Sequence, residues 1–71
     1  GRMAVLPAWR HRGIGSAMLR ELLDYCSQHD LQAHLDAQTH ALDFYRRMGF
    51  TTIGEEFLDA GIPRRKMIHM E

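Results

Sequence analysis

The hydrophobic period changes twice in the first half of the chain, and that switch limits the folds open to it. Met3-Ala4-Val5-Leu6-Pro7 is a short apolar run that reads as a buried strand, closed by a proline that cannot donate to a ladder. From Gly13 onward the period is helical. Leu19, Leu22, Leu23 and Cys26 stand at i, i+3, i+4 and i+7, while Arg20, Glu21, Asp24, Ser27 and Gln28 take the other side. This predicts an amphipathic helix to about His29. The stretch Leu31 to Ala37 returns to strand period, with Leu31, Ala33, Leu35 and Ala37 alternating against Gln32, His34 and Asp36. Strand, helix and strand in this order make a right-handed crossover unit.

A second helix is expected next, capped by Thr39, with Ala41, Phe44, Tyr45 and Met48 on one face. Gly49 supplies its left-handed end, and Phe50 folds back on Phe44 or Tyr45 as the hydrophobic contact that follows such a cap. Two strands then follow, Phe50 to Leu58 and Arg64 to Met70, joined by the turn-rich connection Asp59-Ala60-Gly61-Ile62-Pro63. The whole reads β-α-β-α-β-β, an α/β chain with a mixed sheet. No internal repeat, linker or low-complexity segment interrupts it.

Composition narrows the function classes. A chain of 71 residues is one small domain at most, and at this size only about 60% of the unfolded surface is buried. Nine Lys and Arg balance nine Asp and Glu, so no global field draws the chain to nucleic acid or to an anionic membrane, and any anion site must be local. No apolar run approaches membrane-spanning length. One cysteine, Cys26, excludes an internal disulfide; with no export signal in view, the expected compartment is a reducing cytoplasm.

The segment Arg10-His11-Arg12-Gly13-Ile14-Gly15 carries the chemistry. Glycines beside a helix start let a ligand approach the backbone, and a helix N-terminus with neighbouring arginines attracts an anion. A dinucleotide-binding turn would need a third glycine where Met18 stands, directly after a strand; Pro7 to Arg12 make the connection too long for it. A nucleoside-triphosphate P-loop is excluded, since no Gly-Lys-Ser/Thr is present.

Arg10, Gly13 and Gly15 resemble the acetyl-CoA pyrophosphate loop of the GCN5-related N-acetyltransferases (GNAT), written Gln/Arg-x-x-Gly-x-Gly/Ala. The same family places Ala-x-x-Phe-Tyr-x-x-x-Gly-Phe after the next strand, and here Ala41, Phe44, Tyr45, Gly49 and Phe50 keep that spacing. The resemblance covers essentially all of the chain, which is similar to the C-terminal half of the acyl-CoA N-acyltransferase fold, the N-terminal half being absent. Gly61-Ile62-Pro63 followed by a Met-containing strand is similar to the ElaA-like or YjcF-like branch, in which His usually follows the proline; Arg64 stands in that place.

The resemblance implies an acyl donor, acetyl-CoA, and an amine acceptor. Backbone N–H groups of Arg12, Gly13, Ile14, Gly15 and Ser16 would cradle the pyrophosphate, aided by the helix dipole, with Arg10 and Arg12 on phosphate oxygens. Met3, Ala4 and Val5 would hydrogen-bond the pantetheine arm as another strand would. Tyr45 would protonate the departing CoA thiolate. Gln38 occupies the place of an Asn that often contacts the cofactor arm. Trp9 reads as a packing residue.

The sequence names no general base. His34 and Asp36 share one face of their strand and are candidates, with exposed polar positions as the plainer reading. His11, His29, His40 and His69 have no ligand spacing and Cys26 lies in an apolar stripe, so no metal site is expected. Two function classes stand: an acyltransferase moving acetyl from CoA to a primary amine by direct attack, and a non-catalytic CoA-binding or interaction module. The apolar first strand is expected to pair with a complementing N-terminal half or in a homodimer, and the 71-residue chain alone is expected to be inactive.

Overall fold

Leu35 and Met67 face each other across two antiparallel strands, and the fold is organised around that pair. The computed structural model describes residues 2–8 and 15–70. The order is β1 (Arg2–Val5), α1 (Gly15–Gln28), β2 (Leu31–Gln38), a 3-10 turn (Thr39–Ala41), α2 (Leu42–Arg47), β3 (Phe50–Asp59) and β4 (Ile62–His69). One four-stranded sheet has the order β1-β2-β4-β3, with β1 parallel to β2 and the other pairs antiparallel. The mixed α/β class and the element order match the sequence expectation.

Both helices serve one face of the sheet. Leu19 and Cys26 of α1 and Tyr45 of α2 are buried in a single cluster with Ala33, Leu35, Ala37, Phe50 and Met67. Leu22, Leu23 and Met48 pack against it, which accounts for the helical stripe in the sequence.

Three local expectations are corrected. The run Met3 to Pro7 is not a buried strand: Met3 and Val5 are 59% and 70% exposed, while Ala4 and Leu6 pack against the core. Helices cover only one face, so β1 alternates between the core and the uncovered side. Thr39 is not the cap of α2. It opens a 3-10 turn, and neither that turn nor α2 has a side-chain cap bond. The connection between β3 and β4 is also shorter than expected. Only Ala60 and Gly61 form the turn, both at positive φ (52° and 80°), the signature of a type I′ hairpin. Ile62 and Pro63 belong to β4, and Pro63 is tolerated there because β2 pairs only as far as Arg64.

Between Ile53↔Lys66 and Phe57↔Arg64 the ladder is bulged, and the Arg65 guanidinium donates to the carbonyl of Gly54, which sits at φ 73°. At the other end of β3, Gly49 takes φ 97° and Phe50 packs edge-on to Tyr45 with centroids 5.8 Å apart, as the sequence predicts.

Candidate active site

The pairing of β1 with β2 stops early. Its last described backbone rung is Leu6 N–H to the His34 carbonyl at 2.7 Å, yet β2 runs on to Gln38. Along a strand the backbone groups of alternate residues face the same edge. Because those of His34 face β1, those of Asp36 and Gln38 face the edge that β1 has vacated. Two parallel strands that part in this way leave unpaired donors and acceptors between them at their carboxyl ends, where open α/β sheets bind ligands.

The N-terminus of α1 lies at that same end, because the crossover helix runs back along the sheet. Gly15 opens it at φ 51°, and among the described residues no heavy atom beyond its own helix backbone stands within 4 Å of the place where a Cβ would project. Its first turn has no acidic side chain to compete with an anion. Ser16 follows, half-buried. Arg10, Arg12, Gly13 and Ile14, with Trp9 and His11, lie outside the described residues.

Gln38 ends β2 beside the vacated edge, and its side-chain oxygen accepts a 2.7 Å hydrogen bond from His40 Nε2. Tyr45 is 2% exposed, with its ring edge-on to Phe44 at 5.1 Å and to Phe50 on the other side. Met3, Ala4 and Val5 lie just ahead of the parting point, in register with Gln32, Ala33 and His34.

His34 and Asp36 do share the uncovered face, on the side of β2 opposite the buried Ala33, Leu35 and Ala37. Their states differ. Lys66 Nζ lies 3.4 Å from Asp36 Oδ1, so the carboxylate already has a counter-charge. His34 Nε2 meets Gln32 Oε1 at 3.4 Å, and its Nδ1 is buried with no hydrogen-bond partner among the described residues.

The family of the chain follows from its likeness to known proteins. The model of the acetyltransferase (GNAT) domain matches residues 1–71. The chain belongs to the GNAT family. It is 36% identical over 69 residues to the uncharacterized N-acetyltransferase YjcF of Bacillus subtilis, covering 94% of this chain and 49% of that protein. It is 34% identical over 65 residues to protein ElaA of Escherichia coli, covering 89% of this chain and 42% of ElaA. Among solved structures, an acyl-CoA N-acyltransferase from Pseudomonas aeruginosa superposes with a TM-score of 0.75 at 27% identity, over 86% of this chain and 43% of that one. The chain thus spans less than half the length of these relatives.

In this GNAT chain a cavity also opens away from that cleft. A space of about 460 Å³ opens between α1 and α2, lined by Leu23, Asp24, Leu31, Arg47 and His69 among others. It adjoins the start of β2 and the end of β4, the opposite end of the sheet from Gly15 and Gln38. Among the described residues no three His, Cys, Asp or Glu side chains converge as a metal group would, and no helix is long and apolar enough to cross a membrane.

One residue beside the cleft, Arg64, stands out in the sequence only as a departure from the branch pattern. Arg64 is the register partner of Gln38, and its Nη1 donates to the Asp36 carbonyl at 3.3 Å. Counting strand parity back from the Ala60-Gly61 turn puts Arg64 on the uncovered face; the pairing of β4 with β2 had to be known before that count reached the cleft.

Proposed function

We propose that this chain forms the acetyl-CoA-binding part of an N-acetyltransferase that moves an acetyl group to a primary amine by direct attack. The observation that carries the proposal is the coincidence, at one end of the sheet, of a parted parallel strand pair with a helix N-terminus opened by Gly15. The parted edge of β2 offers the Asp36 N–H and the Gln38 backbone to an amide-bearing arm, as an added strand would, while the Asp36 carbonyl already accepts from Arg64 Nη1. The start of α1 offers the Gly15 and Ser16 donors to a pyrophosphate; Arg10, Arg12, Gly13 and Ile14, which the resemblance assigns to the same group, precede it in the sequence. Met3, Ala4 and Val5, paired to β2 just ahead of the parting point, anchor the strand that borders the cleft.

The reaction asks little more of the protein than position and two proton transfers. The amine lone pair adds to the thioester carbonyl, the C–S bond breaks, and CoA departs as a thiolate. Tyr45 donates its phenolic proton to that sulfur, and the proton lost by the nitrogen passes to His34 or to water and from there restores the phenol. Asp36 is the less accessible acceptor, because Lys66 Nζ already stands 3.4 Å from its Oδ1.

The test uses the full-length protein: calorimetric titration with acetyl-CoA, and release of free thiol in the presence of a panel of primary amines. Binding with amine-dependent thiol release is expected. Binding without release under any amine would leave a CoA-binding module and refute the transferase.

A further inference from the structure

The proposed chemistry leaves the acceptor open, and the uncovered face of the sheet bears on it. Both helices cover the Ala33, Leu35 and Ala37 side of β2, so an amine reaching an acyl group held at the parted edge arrives over the other side. Four charged groups flank that approach. Asp36 and Lys66 are neighbours in register and 3.4 Å apart, which neutralises the carboxylate that would otherwise repel an anion. Arg64 and Asp59 are 3.2 Å apart through Nε and Oδ2, but the contact lacks hydrogen-bond alignment, and the Asp59 side chain is 62% exposed at the hairpin end.

The Arg64 guanidinium is held, not floating. Its side chain is 16% exposed and starts from the position opposite Gln38. Its Nη1 reaches the Asp36 carbonyl, which faces the vacated edge, so the guanidinium lies across β2 toward the cleft. Among the described residues no partner is seen for Nη2. A planar fork fixed at one nitrogen and open at the other pairs with a carboxylate at small further entropic cost.

We infer that Arg64 is a specificity-determining residue of this site, and that the preferred acceptors are amines carrying a carboxylate in the same small molecule. The inference rests on the acetyltransferase function proposed above. An anionic group on the acceptor would meet Arg64, with the nearest acid, Asp59, only loosely engaged and Asp36 already paired to Lys66. A polycationic amine would meet the same guanidinium with like charge, which disfavours it.

The experiment is a competition of acceptors on the full-length protein. Glycine, β-alanine and 4-aminobutyrate are each compared with the alkylamine of matching length, and the readout is the ratio of kcat/KM values within a pair. At least one amino acid is expected to be preferred about tenfold or more, with Arg64→Ala collapsing that preference and Arg64→Lys keeping part of it. Asp59→Asn removes the competing carboxylate and is expected to raise the preference, which a purely structural Arg64 would not do. Circular dichroism and acetyl-CoA titration identify any variant that has lost its fold. Equal use of both members of every pair by the parent protein, or a preference unmoved by both Arg64→Lys and Asp59→Asn, would overturn the inference while leaving the transferase intact. Absence of acetyl transfer to every acceptor would instead refute the function on which it rests.

Discussion

His69 Nε2 lies 2.8 Å from the point where a Cβ on Gly49 would project, and the same nitrogen donates to the Met48 carbonyl at 3.1 Å. The imidazole also stands edge-on to Phe50 at 5.1 Å, so the last turn of α2, the start of β3 and the end of β4 are locked together. Gly49 is therefore required twice, for its φ of 97° and for the room it leaves.

Gly49→Ala is expected to destabilise the protein by about 2–4 kcal/mol, combining left-handed strain with overpacking. In a His69→Ala background the same change should cost only the strain, about 1–2 kcal/mol. Urea unfolding of the four proteins of the cycle measures the difference. Equal costs in the two backgrounds would mean that His69 does not restrict this position.

Gly15 presents the opposite case. It shares a positive φ, but among the described residues nothing crowds the missing Cβ. Gly15→Ala is expected to cost the fold about 1–2 kcal/mol of strain and to weaken acetyl-CoA binding by about tenfold or more, because the new methyl points where the phosphate would sit. Calorimetry read beside circular dichroism separates the two effects. Unchanged affinity would remove the α1 N-terminus from the site.

For Tyr45, burial and chemistry are separable by substitution. Tyr45→Phe retains the ring that packs on Phe44 and Phe50, so acetyl-CoA affinity is expected to persist while kcat falls about 100-fold through loss of the proton donor. Tyr45→Leu should instead unfold or soften the core. Full turnover of Tyr45→Phe, under conditions where chemistry limits the rate, would reduce the residue to packing.

Much of this was legible in the sequence because periods of two and of about 3.6 residues are local properties. The α1 stripe ending in Cys26, the alternation of β2 and the Gly49-Phe50 corner all stand where the pattern puts them. The errors share a cause. An apolar run such as Met3 to Leu6 does not reveal whether one or both faces of its strand are covered, and Thr39 cannot announce that the chain leaves β2 through a 3-10 turn. The Gly61-Ile62-Pro63 cluster looks like a long turn until two positive φ values at Ala60 and Gly61 close it in two residues. In the candidate site, Gly15, Gln38 and Tyr45 were reachable through motif spacing. The same spacing picks out Arg64 as a departure from the branch pattern, but its place at the cleft follows from β4, not β3, lying beside β2.

The parted edge of β2 and the start of α1 are together expected to hold acetyl-CoA. Amide chemical-shift mapping of the isotopically labelled full-length protein during titration with acetyl-CoA addresses it residue by residue. The largest shifts are expected at Gly15, Ser16, Asp36 and Gln38, with Asp24, Ser27 and Leu31 beside the interhelical cavity little moved. Shifts centred on that cavity, with Gly15 and Gln38 silent, would contradict the claim.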